Sequence, residues 1–170
     1  MGADAVRIVV ERNGQRLRPS GRDRAEVAEG RLGEVTSMLA VPTTFMNESG
    51  EAIGRLVGRC RLDDLSHLVI VHDELDLEPG RVKLKSGGGL AGHNGLKSIN
   101  AHLKSPEFVR IRIGVGKPPH PRAGADHVTK PVKGPARVEL DIGVQIAADA
   151  IELIATQGLE AAMGEIHSRS

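Results

Sequence analysis

An acidic segment, HDELDL at residues 72–77, directly follows a continuous apolar run, HLVIVH at residues 67–72. The run predicts a strand buried on both faces of a sheet with parallel neighbours. Ligands of open α/β sheets bind beyond the carboxyl ends of strands. A carboxylate at such a place, here Asp73, can orient a histidine and stabilise its charged form, as the acid of a catalytic triad does. The alternative is a solvated acidic turn without chemistry.

A glycine-rich loop at residues 87–92 precedes His93, Asn94 and Lys97. It contains G-x-G-x-x-G, but past mid-chain rather than after a first strand, which weakens the case for dinucleotide binding. It is not a Walker A loop, because Leu96 separates Gly95 from Lys97, whereas that motif needs adjacent glycine and lysine. Exposed backbone amides before a helix attract anions and carbonyl oxygens. The glycines could equally serve only a tight turn.

A third candidate segment, PTTFMNESG at residues 42–50, lies between a predicted strand and a predicted helix. Asn47 or Ser49 could be an ordinary helix N-cap. That interpretation leaves Phe45 and Met46 unexplained as apolar residues in a loop.

The surrounding pattern predicts one α/β domain over residues 1–170, with helices flanking a mixed, mostly parallel sheet. Residues 3–12 fit either a helix or a hairpin arm. Residues 117–135 hold five of the nine prolines and are typical of a mobile surface loop. Strands are predicted at 26–31, 35–41, 67–72, 82–85 and 109–115, and helices at 49–60, 94–103 and 138–156.

The composition excludes several classes of protein. Cys60 is the only cysteine, so no disulfide framework or cysteine pair for zinc or redox chemistry exists. No apolar run approaches the roughly 20 residues of a membrane span, and residues 1–12 lack the pattern of a signal peptide. We therefore expect a cytoplasmic protein without a membrane partner. With Phe45 and Phe108 as the only aromatic residues, recognition of single-stranded bases by stacking is disfavoured.

Positive charge is concentrated in one segment of a chain whose net charge is only +1. Residues 81–133 hold eleven Lys/Arg and two Asp/Glu, a balance of +9. Residues 37–80 hold three against eight (−5) and residues 134–170 two against six (−4). Such a segment suits a polyphosphate partner, although basic loops can also be simply solvated.

Four blocks in register carry a family resemblance: PTTFMNESG, VHDELDL, GGGLAGHNGLKS and VRIRIGVGKP. Over about residues 25–167 the chain resembles the bacterial peptidyl-tRNA hydrolase family. The resemblance implies a monomeric enzyme, without metal or cofactor, that cleaves the ester between a peptide and the 3′ end of tRNA. The partner would be peptidyl-tRNA, recognised at its 3′ end and through its phosphates.

The resemblance also implies a role for individual residues. Asp73 would hold and polarise the catalytic histidine, and Asn47 and Asn94 would position the substrate's 3′ end and the attacking water. Residues 117–135 would correspond to the family's flexible lid. The remaining implied contacts are Phe45 and Met46 at the floor of the cleft, His93 in its wall, and Lys83, Lys85, Lys97 and Arg112 on tRNA phosphates.

The chain departs from the family pattern at its start. The family opens with a strand ending in Asn-Pro-Gly, followed by Thr-Arg-His-Asn, whose histidine is the general base. Here Met1 stands where the first helix should begin, and none of the seven histidines precedes His67. We therefore expect the chain to be incomplete at its N-terminus, with an unpaired sheet edge, and slower by the ~10²–10⁴-fold that such a base contributes. A start site placed too far downstream would explain this; an upstream stop codon with no in-frame Asn-Pro-Gly and His-Asn would refute it.

Two other functions remain open. A non-catalytic RNA-binding protein could keep the fold and its basic segment, and it would bind tRNA without turnover. A dinucleotide-binding oxidoreductase rests on the glycine loop alone, and failure to bind NAD(H) would remove it.

Overall fold

The computed structural model describes residues 1–90, 92–117 and 134–169 of the chain. Within these ranges it contains five α-helices and six β-strands, which confirms the α/β class. The contacts divide the chain into two compact units. Unit I comprises Met1–Val9, Val71–Leu84 and Arg110–Ser170, and unit II comprises Val10–Ile70 and Lys85–Val109. The expectation of a single domain over residues 1–170 stays a prediction.

Unit II contains an antiparallel sheet of strands β1 (Arg18–Ser20), β2 (Ala25–Leu32) and β3 (Val35–Pro42), in that order. Leu32 pairs with Val35 across a two-residue turn, in which Gly33 has a φ of 61°. This conformation suits glycine and matches the twist of a hairpin. The predicted hairpin is confirmed. Strand β1 was not predicted, because Arg-Pro-Ser offers no apolar alternation.

Two helices of unit II, α2 (Ser49–Cys60) and α3 (Asn94–Leu103), have the predicted bounds. They contribute to one core together with β2 and the loop before the last strand. Apolar residues at helical spacing on each helix face this core, which is why the pattern predicted them. The buried members of the core are Ala25, Val27, Ile53, Leu56, Leu96, Ile99 and Phe108.

A buried carboxylate ties α2 to the hairpin sheet. Asp23 is 2% exposed; the Ser20 hydroxyl donates to it over 2.6 Å, and Arg59 donates to both Asp23 and Glu29. The hydrogen bond from Ser20, with the hydrogen bond and charge of Arg59, holds the pKa of Asp23 below its usual value. The charged form is therefore the stable one at neutral pH.

The second sheet contains β4 (Val69–Glu74), β5 (Val82–Ser86) and β6 (Val109–Gly114) in the order β4-β6-β5. Hydrogen bonds from Val109 to Leu68 and from Val115 to Glu74 advance in step, so β4 and β6 are parallel. Hydrogen bonds joining Gly80 with Gly114 and Gly87 with Phe108 run in opposite directions, so β5 and β6 are antiparallel.

The described strands therefore form two sheets, with one parallel pair and three antiparallel pairs, and the prediction of one mostly parallel sheet is wrong. The two-residue turn between β2 and β3 permits only antiparallel pairing. The apolar run does form strand β4, but among the described strands β4 lies at an edge of its sheet. Its side chains are half-buried except for His72, so the prediction of burial on both faces is also wrong.

Three helices belong mainly to unit I: α1 (Gly2–Arg12), α4 (Pro135–Gln157) and α5 (Leu159–Ser168). Residues 3–12 are thus helical, and Ala5 and Val9 are buried one turn apart. A Cβ atom at Gly2 would overlap the carbonyl oxygen of Val71, so the start of α1 lies against the backbone of β4. The chain turns at Gly158, with a φ of 88°, into α5, a helix that the pattern did not predict.

Most of the proline-rich loop predicted at 117–135 lies outside the described residues, and so does the lid that the resemblance implies there. Within the described ranges, no helix is both long and apolar enough to cross a bilayer.

The protein should become less stable as the pH falls, because of a histidine that joins α5 to β5. The Leu84 backbone N–H donates to His167 Nε2 over 3.0 Å, a bond that only neutral imidazole can accept. Burial, and then the charges of Lys83 and Arg112, lower the pKa of His167 from its ordinary 6.5. The unfolded chain therefore binds more protons just below pH 6.5, and stability should decrease as the pH falls from 6.5 through the folded-state pKa.

Urea unfolding at pH 7.5 and pH 5 measures this effect, whose size should be about 1 kcal/mol, the net worth of one hydrogen bond. His167→Gln is the control, since its amide oxygen can accept the bond without titrating. The loss of stability should be smaller in the variant; equal losses in both proteins would contradict the prediction.

Candidate active site

The candidate residues predicted from the sequence lie in both units. Unit II holds the candidates that would contact the substrate's 3′ end. Unit I holds the candidate acid and two of the candidate cations. The members in unit II are Phe45, Met46, Asn47, Lys85, His93, Asn94 and Lys97, and those in unit I are Asp73, Lys83 and Arg112.

In unit II the structure brings two candidate segments together. A short 3₁₀ turn, Met46–Glu48, precedes α2 and is closed by the Ser49 hydroxyl, which donates to the Met46 carbonyl over 2.7 Å. A Cβ atom at Gly95 would lie 2.8 Å from Met46 Sδ and 2.9 Å from His93 Cε1. The absence of a side chain at Gly95 therefore lets this turn lie against the first turn of α3.

Apolar and amide side chains are exposed where these two segments meet. Phe45 is 79% exposed and Met46 is 55% exposed, an apolar surface that soluble proteins usually reserve for binding. Asn47 and Asn94 are exposed too. Neither side-chain amide forms a hydrogen bond with another residue in the described part of the chain.

The helix caps differ from the sequence interpretation. Neither Asn47 nor Ser49 caps α2: its N-cap residue is Glu48, whose side chain makes no capping bond. The Gly50 N–H instead donates to the hydroxyl of Ser98, on α3, over 2.9 Å. The sequence analysis did not identify Ser98. Its position between Leu96 and Ile99, on the apolar face of α3, was a signal, because a buried hydroxyl requires a hydrogen-bond partner.

His93 caps α3. Its Nδ1 accepts a hydrogen bond from the Leu96 N–H over 3.2 Å. In the neutral ring this bond leaves the proton on Nε2. Nδ1 is therefore occupied by the helix cap. Its implied place in the cleft wall stays a prediction.

The glycine loop contains both a tight turn and a cation. Gly87 and Gly88 have φ values of 66° and 98°, a left-handed region that favours glycine. A Cβ atom at Gly88 would overlap the Lys85 ammonium, so this side chain lies along the loop backbone. Gly87 and Gly88 therefore form a tight turn with a positive charge beside it; that the glycines serve only this turn stays a prediction.

In unit I, Asp73 is half-buried near the end of β4. His72 is buried, and its Nδ1 lies 2.8 Å from the backbone oxygen of Asp73. Because successive side chains of a strand point to opposite faces, His72 is not the histidine that the Asp73 carboxylate would hold. Further along the acidic segment, Asp76 is exposed and lies 3.7 Å from Lys117, an ordinary surface ion pair.

Two of the candidate cations face each other in the second sheet. The antiparallel ladder that joins Gly114 with Gly80 and Arg81 places Lys83 opposite Arg112. Like charges in such a pair repel, and among the described residues Glu74 forms an ion pair with Arg112 at 3.9 Å. Both cations lower the pKa of His167. This arrangement suits a phosphate group.

A metal centre is not indicated. In residues 1–90, 92–117 and 134–169, no cluster of three or more His, Cys, Asp or Glu side chains could hold a metal ion.

Comparison with known proteins identifies the family of the chain. Residues 1–170 match the family described as "Peptidyl-tRNA hydrolase". The peptidyl-tRNA hydrolase of Cutibacterium acnes is 42% identical over 178 aligned positions, covering 99% of this chain and 88% of the relative. That of Anaeromyxobacter dehalogenans (strain 2CP-C) is 47% identical over 146 positions, covering 86% and 76%.

A crystal structure of peptidyl-tRNA hydrolase from Acinetobacter baumannii superposes with a TM-score of 0.89 at 29% identity, covering 95% of this chain and 82% of that one. The family match covers the whole chain, and the two relatives are more than 40% identical to it. The chain belongs to the peptidyl-tRNA hydrolase family.

Proposed function

We propose that this chain hydrolyses the ester bond between a peptide and the 3′ end of tRNA, releasing free tRNA and recycling it from stalled or aborted translation. Peptidyl-tRNA hydrolysis is the activity of the family to which the chain belongs. One observation of the structure carries the proposal furthest. Asn47 and Asn94 present exposed amides, unbonded within the described residues, beside the contact between Met46 and Gly95.

The side chains of unit II would bind and orient the reacting ester. Amides both donate and accept hydrogen bonds, so Asn47 and Asn94 can position the terminal ribose and the attacking water. Correct positioning supplies a large part of the rate acceleration of such reactions. Phe45 and Met46 offer apolar surface, and His93 would form part of the cleft wall.

The candidate residues of unit I supply charge. Asp73 would orient the group that removes a proton from water and would stabilise that group's protonated form; none of the described histidines is assigned to this task. Lys83 and Arg112, with Lys85 and Lys97 of unit II, would bind tRNA phosphates as the basic segment predicts. The proposal describes a monomeric, cytoplasmic enzyme that needs no metal or cofactor.

A cleavage assay tests the proposal. The protein is incubated with an N-blocked aminoacyl-tRNA, and free tRNA is separated from the ester-linked form, while a gel shift measures tRNA affinity at several salt concentrations. Release of free tRNA above the spontaneous rate supports the enzyme. Salt-dependent binding without release would favour a non-catalytic RNA-binding protein that keeps the same fold.

Replacing Lys85 with alanine should weaken tRNA binding with little change in kcat. Loss of one phosphate contact should reduce the slope of log affinity against log salt by about one unit. The gel shift at 50–200 mM salt measures that slope. Arg16→Ala, an exposed cation outside the basic segment, is the control and should leave the slope unchanged; equal reductions in both variants would mean that the charge of Lys85 acts only through the overall charge of the protein.

A further inference from the structure

We propose that Ser98 is a positioning residue for this reaction: its hydroxyl holds the start of α2, and through it the amide of Asn47, against the first turn of α3. The inference rests on the proposed function for its link to turnover. Its structural part concerns unit II alone, where all the residues involved lie.

The first support is the way in which α2 begins. The opening N–H groups of a helix have no partner within the helix, and at α2 no side chain of the N-cap residue provides one. The Gly50 N–H is instead bonded by Ser98, in a buried contact of 2.9 Å between residues 48 positions apart. The cap of α2 thus comes from a neighbouring helix, so one hydrogen bond both starts the helix and docks it.

The second support is the closeness of the two helices at this point. A Cβ atom at Gly50 would overlap the carbonyl oxygen of Ser98 and would lie 2.5 Å from His102 Nδ1. His102 Nδ1 lies 3.0 Å from the same carbonyl. The backbones of the two helices are therefore in direct contact at Gly50 and Ser98. The hydrogen bond of the Ser98 hydroxyl lies at this contact, so a movement of either helix would break it.

The third support is the position of the candidate amide relative to this contact. Asn47 lies in the 3₁₀ turn Met46–Glu48, three residues before Gly50. The turn has a contact with α3 on its other side, where Met46 meets Gly95. Because the Asn47 amide has no hydrogen bond within the described residues, only its backbone position determines where it points.

The other interactions of described residues at the start of α2 are weaker. Arg24 forms ion pairs with Glu48 and Glu51, and Glu51 pairs with Arg55. These side chains are between about a third and a half exposed, and exposed ion pairs contribute little. Removing the Ser98 hydroxyl would leave a buried N–H unsatisfied, which a helix start relieves by shifting or fraying.

Ser98→Ala provides the test. We expect kcat for peptidyl-tRNA to fall by about 10–100-fold, because small displacements of positioning groups have effects of this size. The KM should stay within about threefold, since phosphate contacts lie elsewhere. Ile99→Val is the matched control: it removes one buried methyl group from the neighbouring residue of α3 and should keep at least half of the wild-type kcat.

A second measurement does not depend on activity. In ¹⁵N–¹H spectra, the hydrogen exchange of the Gly50 amide should accelerate at least tenfold in Ser98→Ala, and the Asn47 side-chain amide resonances should shift. Neither change should occur in Ile99→Val. Should Ser98→Ala fail to fold, Ser98→Cys keeps the shape with a weaker acceptor and should show the same changes at smaller amplitude.

Two results would overturn the inference: a kcat for Ser98→Ala equal to that of Ile99→Val, or unshifted Asn47 resonances. If the unmodified protein releases no tRNA, the proposed function fails, and the spectra still decide whether Ser98 positions Asn47.

Discussion

Replacing Asp73 with asparagine should lower kcat for peptidyl-tRNA by about 10²–10⁴-fold. The amide keeps the shape of the carboxylate but removes its charge. In the proposed mechanism that charge holds the proton-accepting group in its reactive orientation and stabilises the proton that this group gains. Affinity for tRNA should stay within about threefold of the unmodified value, because cations of the basic segment provide the phosphate contacts. The cleavage assay and the gel shift measure the two quantities separately.

The acidic segment provides its own control for this substitution. Asp76 is three residues further along the chain, 65% exposed, and paired with Lys117 at 3.7 Å. Asp76→Asn should leave kcat within about twofold. If both variants lose activity equally, or if Asp73→Asn loses affinity as strongly as turnover, Asp73 does not have the assigned role.

The second large effect is expected from Gly50→Ala. The added Cβ atom would overlap backbone atoms of Ser98, which cannot swing aside as the end of a side chain can. The two helices would have to separate at the contact that joins α2 to α3. We expect the free energy of unfolding to fall by about 2–4 kcal/mol, and kcat to fall with it because Asn47 lies in the adjoining turn. Urea unfolding and the cleavage assay measure these losses.

Gly54→Ala, one turn further along the same helix, is the control. A Cβ atom there would lie 3.7 Å from His102 Cβ, an ordinary contact. Alanine is a better helix former than glycine, so this variant should gain about 0.5–1 kcal/mol of stability. Equal changes in stability at the two positions would show that the close contact between Gly50 and Ser98 is not what makes the Gly50 variant less stable.

Local patterns predicted much of the fold because they report interactions between near neighbours. Helices α2 and α3 were predicted to their end residues from apolar spacing, and the β2–β3 hairpin from two short runs around Gly33. Strand β1 and helix α5 were missed. Three residues of β1 carry no period, and the glycine at 158 was interpreted only as the end of a helix.

The candidate site was predicted to a similar extent. The blocks PTTFMNESG and GHNG pointed to Met46, Asn47, His93 and Asn94, and the structure brings Met46 and His93 close to Gly95. The assigned role of each residue in the reaction stays a prediction. The expected cap of α2 was wrong, because the sequence offers Asn47 and Ser49 nearby, whereas the partner that bonds Gly50 lies 48 residues away.

The sequence by itself determined the family, the class of fold, the segments that carry chemistry and the concentration of positive charge, since these depend on residue types and short spacings. Only the tertiary structure decided that β4 lies at a sheet edge among the described strands, that Lys83 faces Arg112, and that Ser98 caps α2. Each of these facts depends on which distant segments meet. That is set by packing and by the need of every buried donor for a partner, and neither requirement leaves a local pattern in the chain.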